Sequence, residues 1–163
     1  FQNAHRGADE QQRQQGSEKA SHSFHLLHLH QSDRRLAELA SRYGFVYNRV
    51  AIKHNSTNWG SCSSRNNINL NLNIIRLPSV LRDYILLHEL CHLRHHDHGE
   101  GFHLLLEHVL TDNLMRLLES YEADQSASDA ALVKDLARKA AVSKARSPID
   151  YTLSRAIKQY RLI

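Results

Sequence analysis

Leu77-Pro78-Ser79-Val80-Leu81-Arg82-Asp83-Tyr84-Ile85-Leu86-Leu87-His88-Glu89-Leu90-Cys91-His92 is the stretch whose reading organises the rest of the chain. Proline is tolerated in a first helical turn, where its missing N–H had no partner to lose. A helix is therefore expected over about 79–95. Val80, Tyr84, Leu87 and Cys91 recur at helical spacing and define an apolar face, with Ile85 beside it. His88 and His92 stand four apart, so they stack on one side of that helix and two imidazoles can point at one ion. Glu89 lies beside the ion rather than on it, placed to take a proton from a metal-activated water. Cys91 points about 100° away from its neighbours on the helix and is not expected among the ligands.

The pattern needs support from its surroundings. With thirteen His and eight Glu in 163 residues, chance alone produces it about once in twenty such chains. His98 follows His92 by six residues, the spacing of the third ligand in the long metzincin motif, although His95 replaces that motif's glycine. Gly99 and Gly101 come after His98 instead. Catalytic zinc favours three protein ligands and one open position. The expected metal set is His88, His92 and His98 with Zn2+, and Glu89 as the base; His95, His96, His103 and His108 are the competing imidazoles nearby.

Upstream, Ile68, Leu70, Leu72 and Ile74 alternate with Asn67, Asn69, Asn71 and Asn73. Strict alternation predicts a strand over 67–74 with one buried and one polar face. Asn69 and Asn71 on the polar face are candidate substrate-binding residues, in competition with a simply solvated sheet face. An extended peptide adding to an exposed strand edge, here or near Trp59, is the expected binding mode. Phe45–Ile52 reads as another strand, and 54–66 as turn, short strand and turn. A helix is expected at 33–43, from Ser32 as N-cap to Gly44 at the stop position. Phe24–His30 partly alternates and suggests a short strand. After the metal motif, helices are expected at about 101–121, 129–145 and 149–161, with Pro148 between the last two. Trp59, Cys62 and Cys91 read as core, and Gly60 as a turn or close-packing position.

Composition bounds the rest. No apolar run approaches the ~18 residues of a membrane span. Two cysteines are too few for a disulfide framework, and the first twenty residues are polar and Gln-rich, so a reducing, cytoplasmic setting is expected. Net charge is +4, and between Lys134 and Arg161 eight Lys or Arg face only Asp135 and Asp150. That basic stretch offers nucleic-acid or nucleotide binding, though without aromatic interleaving it reads first as a solvated helix face. Three segments result: a polar arm over 1–20, a domain over 21–113 and a helical extension over 114–163.

Five pieces in order, Trp59-Gly60-Ser61-Cys62-Ser63, Asn67-Ile68-Asn69-Leu70-Asn71, Leu77-Pro78, His88-Glu89-Leu90-Cys91-His92-Leu93, then His98 with Phe102, resemble the YgjP-like metallopeptidase family, a relative of the Wss and SprT-like zinc proteases. The resemblance covers roughly 33–113, and Tyr160-Arg161-Leu162 is similar to the family's short closing helix, making about 114–148 an insertion or an extended helical hairpin. It implies a compact α+β, zincin-like fold with a small sheet and an active-site helix, His88, His92 and His98 as ligands, and Glu89 as base. Asn58 stands where family members often have arginine, and His103 where they often have an aromatic residue. The implied activity is zinc-dependent hydrolysis of peptide or protein substrates, without a membrane partner. The alternatives are a zinc-dependent nucleotide pyrophosphatase or phosphohydrolase, and a non-catalytic zinc or nucleic-acid-binding module. A structural zinc site closes with a fourth ligand and needs no free carboxylate, so Glu89 argues against the last.

Overall fold

The computed structural model describes residues 31–123 and 129–163. The arm at 1–20, the short strand suggested at 24–30 and most of the break at 123–129 lie outside them. The described chain opens in helix α1, which runs to residue 43. It buries Leu36, Leu39 and Ala40, three positions that share a helical face. Gly44 (φ 72°) ends it in the left-handed conformation, and the Phe45 N–H reaches back to the Ala40 carbonyl at 2.8 Å, a glycine-terminated helix end. The N-terminal expectation needs correcting. The chain is already helical at 31, so Ser32 lies inside the helix and is fully buried rather than capping it.

Three strands follow: β1 (Arg49–Lys53), β2 (Gly60–Cys62) and β3 (Asn67–Asn71). β3 is central, parallel to β1 and antiparallel to β2. β1 is shorter than the apolar run from Phe45, because the start of that run closes α1 and is spent before pairing begins. β3 also stops early. The Asn71 side chain accepts the Asn73 N–H at 2.9 Å and turns the backbone into a 3-10 helix, Leu72–Arg76, the local competition that asparagine offers to a ladder. The polar-face reading therefore fails at its far end: Asn71 and Asn73 are 1% and 5% exposed.

α2 (Ser79–Cys91) lies across the sheet, with Pro78 at its N-cap. The expected face is buried, but so are Leu81, Leu86 and Leu90, because further helices cover the side away from the sheet. These are α3 (Glu100–Ala123) and, further along the chain, α5 (Pro148–Ile157), with α4 (Ala130–Val142) packed on both of them. Asp83 sits inside this packing, 3% exposed. Arg35 of α1 holds it with two bonds of 2.9 and 2.8 Å, and Asn113 of α3 with a third of 3.0 Å. A buried carboxylate survives only with such partners. The boundary expected at 113/114 falls inside α3, and Val133, Leu136, Leu153 and Ile157 join the same core as Leu36 and Leu87. Among the described residues no helix is long and apolar enough to cross a membrane.

Candidate metal centre

The last turn of α2 brings His88 and His92 together, and the loop before α3 brings His98 to them. One ring nitrogen from each lies within 4.8 Å of the others. Nε2 of His98 is 3.0 Å from Nε2 of His92 and 3.4 Å from Nε2 of His88. His92 donates its Nδ1–H to the His95 carbonyl at 2.8 Å, which leaves the Nε2 lone pair facing the centre. That contact is the use the fold makes of His95; its ring lies over Gly101, where a Cβ would come within 2.8 Å of it. Phe102, fully buried, floors the cluster. Its ring stacks on His92 with centroids 4.3 Å apart and meets His88 and His98 edge-on, at 5.0 Å each.

Glu89 is 4% exposed. Its Oε1 lies 3.9 Å from His88 Nε2, and its Oε2 has no hydrogen-bond partner. Burial pushes the carboxyl up to about 7. His88 is pushed down to about 4, by burial first and then by the neighbouring imidazoles, and burial also lowers His92. Neutral rings are the ligating form. Three converging imidazoles, with a buried orphan carboxylate oxygen beside them, fit a divalent cation that keeps one position open. Cys91 is buried and stays outside the cluster, its thiol pushed up to about 12 by burial.

On the Glu89 side, Thr57, Asn58, Trp59, Gly60, Tyr84 and Ile85 line a pocket of about 310 Å³ that includes His88 and Glu89. Gly60 permits this closeness: a Cβ there would stand 3.0 Å from Glu89 Cγ, 3.2 Å from Glu89 Oε2 and 3.2 Å from the Asn69 carbonyl oxygen.

The two asparagines proposed to touch substrate behave differently. Asn71 is a structural residue: its amide N–H groups go to the Asn55 and Asn58 carbonyls at 2.9 and 2.8 Å, and its oxygen accepts from Asn73. It holds the loop that carries Trp59. Asn69 is half-buried on the central strand, its amide 3.4 Å from Ser61 Oγ on β2. Sequence reading missed Asp150 and its partners. The Tyr84 hydroxyl donates to Asp150 Oδ1 at 2.8 Å, and His103 Nδ1 lies 3.3 Å from Oδ2. Glu107 of α3 accepts the Ile149 and Asp150 N–H groups at 2.8 and 2.9 Å, tying down the first turn of α5. No local spacing announces contacts between residues so far apart in the chain.

Two histidines at the end of one helix and a third from the following loop form a group that could hold a metal ion, beside a buried carboxylate. The chain belongs to the YgjP-like family: the family's metallopeptidase domain matches residues 2–117. No curated protein is matched by the sequence. Among solved structures, the chain is similar to the metallopeptidase zymogen of Pyrococcus abyssi abylysin, at 20% identity and a TM-score of 0.43, over 56% of this chain and 95% of that one. A likeness that loose fixes no geometry.

Proposed function

We propose that the chain is a zinc peptidase in which His88, His92 and His98 hold the ion and Glu89 carries the proton. The observation behind this reading is the convergence of three Nε2 atoms beside a buried carboxylate oxygen that has no other partner. Two zinc–nitrogen bonds of about 2.1 Å at a tetrahedral angle separate their nitrogens by roughly 3.4 Å, comparable with the spacings of 3.0 and 3.4 Å here. Zinc, when bound, supplies a Lewis acid that polarises a carbonyl and acidifies water. Glu89 then accepts a proton from the attacking water and returns it to the leaving nitrogen. Among the described residues β2 pairs only with β3, so its outer edge is available to an extended peptide. Because β2 shields Asn69, the strand that meets the peptide is β2 rather than the central asparagine strand.

Metal-loaded protein offered unfolded casein-like chains and, separately, nucleoside triphosphates tests the assignment. Chelator-sensitive release of peptides is the expected outcome. Pyrophosphate or phosphate release with intact casein would replace the peptidase reading by phosphohydrolase chemistry.

A further inference from the structure

On the His98 side of the metal centre, a second pocket of about 550 Å³ opens between α3 and the segment 145–154. His98, His103, Leu104, Asp150 and Tyr151 line it. One wall thus comes from α5, beyond the stretch matched by the family. Asp150 is anchored from three directions: its N–H by Glu107, Oδ1 by Tyr84 of the metal helix, and Oδ2 by His103. The His103 side chain remains 45% exposed. An ionised carboxylate only accepts hydrogen bonds, so its contact with Nδ1 fixes the neutral ring as the Nδ1–H tautomer. Nε2, on the opposite edge of the ring, is then a lone-pair acceptor, and among the described residues nothing is hydrogen-bonded to it.

We propose that His103 binds substrate, its Nε2 accepting a backbone N–H of the peptide on the His98 side of the metal centre, and that Asp150 is the residue that positions it. The proposal rests on the peptidase reading above. The chemistry of the pocket supports it. A lone-pair acceptor backed by a carboxylate favours N–H donors and disfavours anions, while Leu104 and Tyr151, both partly open to solvent, offer apolar surface to the side chain that follows.

Two measurements test it, the first independently of the peptidase reading. In the first, nitrogen-detected histidine NMR of the full chain at high pH should show His103 as the Nδ1–H tautomer, and Asp150→Asn should shift it toward Nε2–H, because an amide can donate to Nδ1. This readout needs neither metal nor activity, and an Nε2–H tautomer in the parent chain overturns the proposal. In the second, His103→Phe keeps a ring and loses the acceptor. One hydrogen bond corresponds to about a three- to tenfold rise in KM, expected with kcat within about twofold. Asp150→Asn should match it, and the double variant should be no worse than either single one. Additive losses, or a fall in kcat with unchanged KM, would overturn the assignment. So would disappearance of the penalty with an N-acetylated peptide, since the donor would then be a terminal ammonium. A chain with the expected tautomers but no peptide hydrolysis would instead count against the peptidase reading alone.

Discussion

The two flanks of the imidazole cluster are built by opposite means. On the Glu89 flank, α2, β2 and the loop 55–59 close to a pocket of about 310 Å³, and a methyl group at Gly60 would fit only if the Glu89 stem shifted. Its rim, Thr57 and Asn58, is exposed, but Tyr84 and Glu89 at its floor are buried, and Glu89 Oε2 and His88 Nδ1 have no hydrogen-bond partner there. On the His98 flank the pocket is about 550 Å³ and its His103 side chain is half-exposed. The difference separates precision from adaptability. A reacting proton needs a fixed donor and acceptor, whereas a substrate backbone needs only contacts that tolerate variety. Substitutions on the closed flank should therefore cost more than those on the open one.

The largest effect is expected at Glu89. Glu89→Gln preserves shape and removes the base, and a general base is worth about 10²–10⁴ in rate. Peptide release should fall by that factor while metal content, measured by mass spectrometry of the intact protein, stays at the parent value. Full activity with metal retained would remove Glu89 from the chemistry.

Asn71 comes next, through stability. Truncation to alanine strands the Asn55 and Asn58 carbonyls and the Asn73 amide N–H. Lost buried hydrogen bonds of this kind cost about 2–4 kcal/mol. Asn69→Ala, which loses one contact of 3.4 Å, should stay within about 0.5 kcal/mol. Equal losses in urea unfolding would mean that the two ends of the asparagine run are not distinct.

That contrast marks the limit of what the sequence discloses. His88, Glu89 and His92 were legible because a helix converts spacing into direction, and one turn carries all three. His98 was legible because it follows closely and the loop has little choice of path. Asn71 looked like Asn69, since a period of two reports a strand's faces but not where the strand stops; its own side chain ends β3. The core contribution of α4 and α5 was invisible for another reason. Their apolar positions announce helices, but nothing local says that those helices share the core of α2 or that Asp150 reaches Tyr84. Long-range packing decided both.

Glu89 also distinguishes the flanks without any substrate. In metal-free protein its carboxyl is raised by burial from 4.5 to about 7. The folded state then holds the proton more tightly than the unfolded one, so stability is full below the unfolded value and declines as pH rises through the folded one. At about 1.4 kcal/mol per unit the loss is on the order of 3 kcal/mol. Metal-free Glu89→Gln, which cannot ionise, should exceed the parent by about that amount at pH 8 and match it near pH 4. The same margin at both pH values would show that the carboxyl is solvated and the closed flank is open.

The smallest effect is the most specific. Gly60 needs no left-handed backbone here; positive φ among the described glycines occurs at Gly44. Its requirement is space alone. Alanine would put a methyl 3.0 Å from Glu89 Cγ, and the opposite wall, the Asn69 carbonyl at 3.2 Å, is backbone and cannot yield cheaply. The glutamate stem must move by a few tenths of an ångström, carrying Oε2 with it. None of the three imidazoles is among the three atoms nearest that methyl. Displacements of this size in a proton-transfer group cost about tenfold in kcat. Gly60→Ala should show that loss with parent metal affinity and parent KM, while Gly99→Ala, where a Cβ meets only the Asp97 carboxylate, should not. A Gly60→Ala variant of undiminished kcat would mean that Glu89 has slack, and the contrast between a precise flank and an adaptable one would fail at its tightest contact.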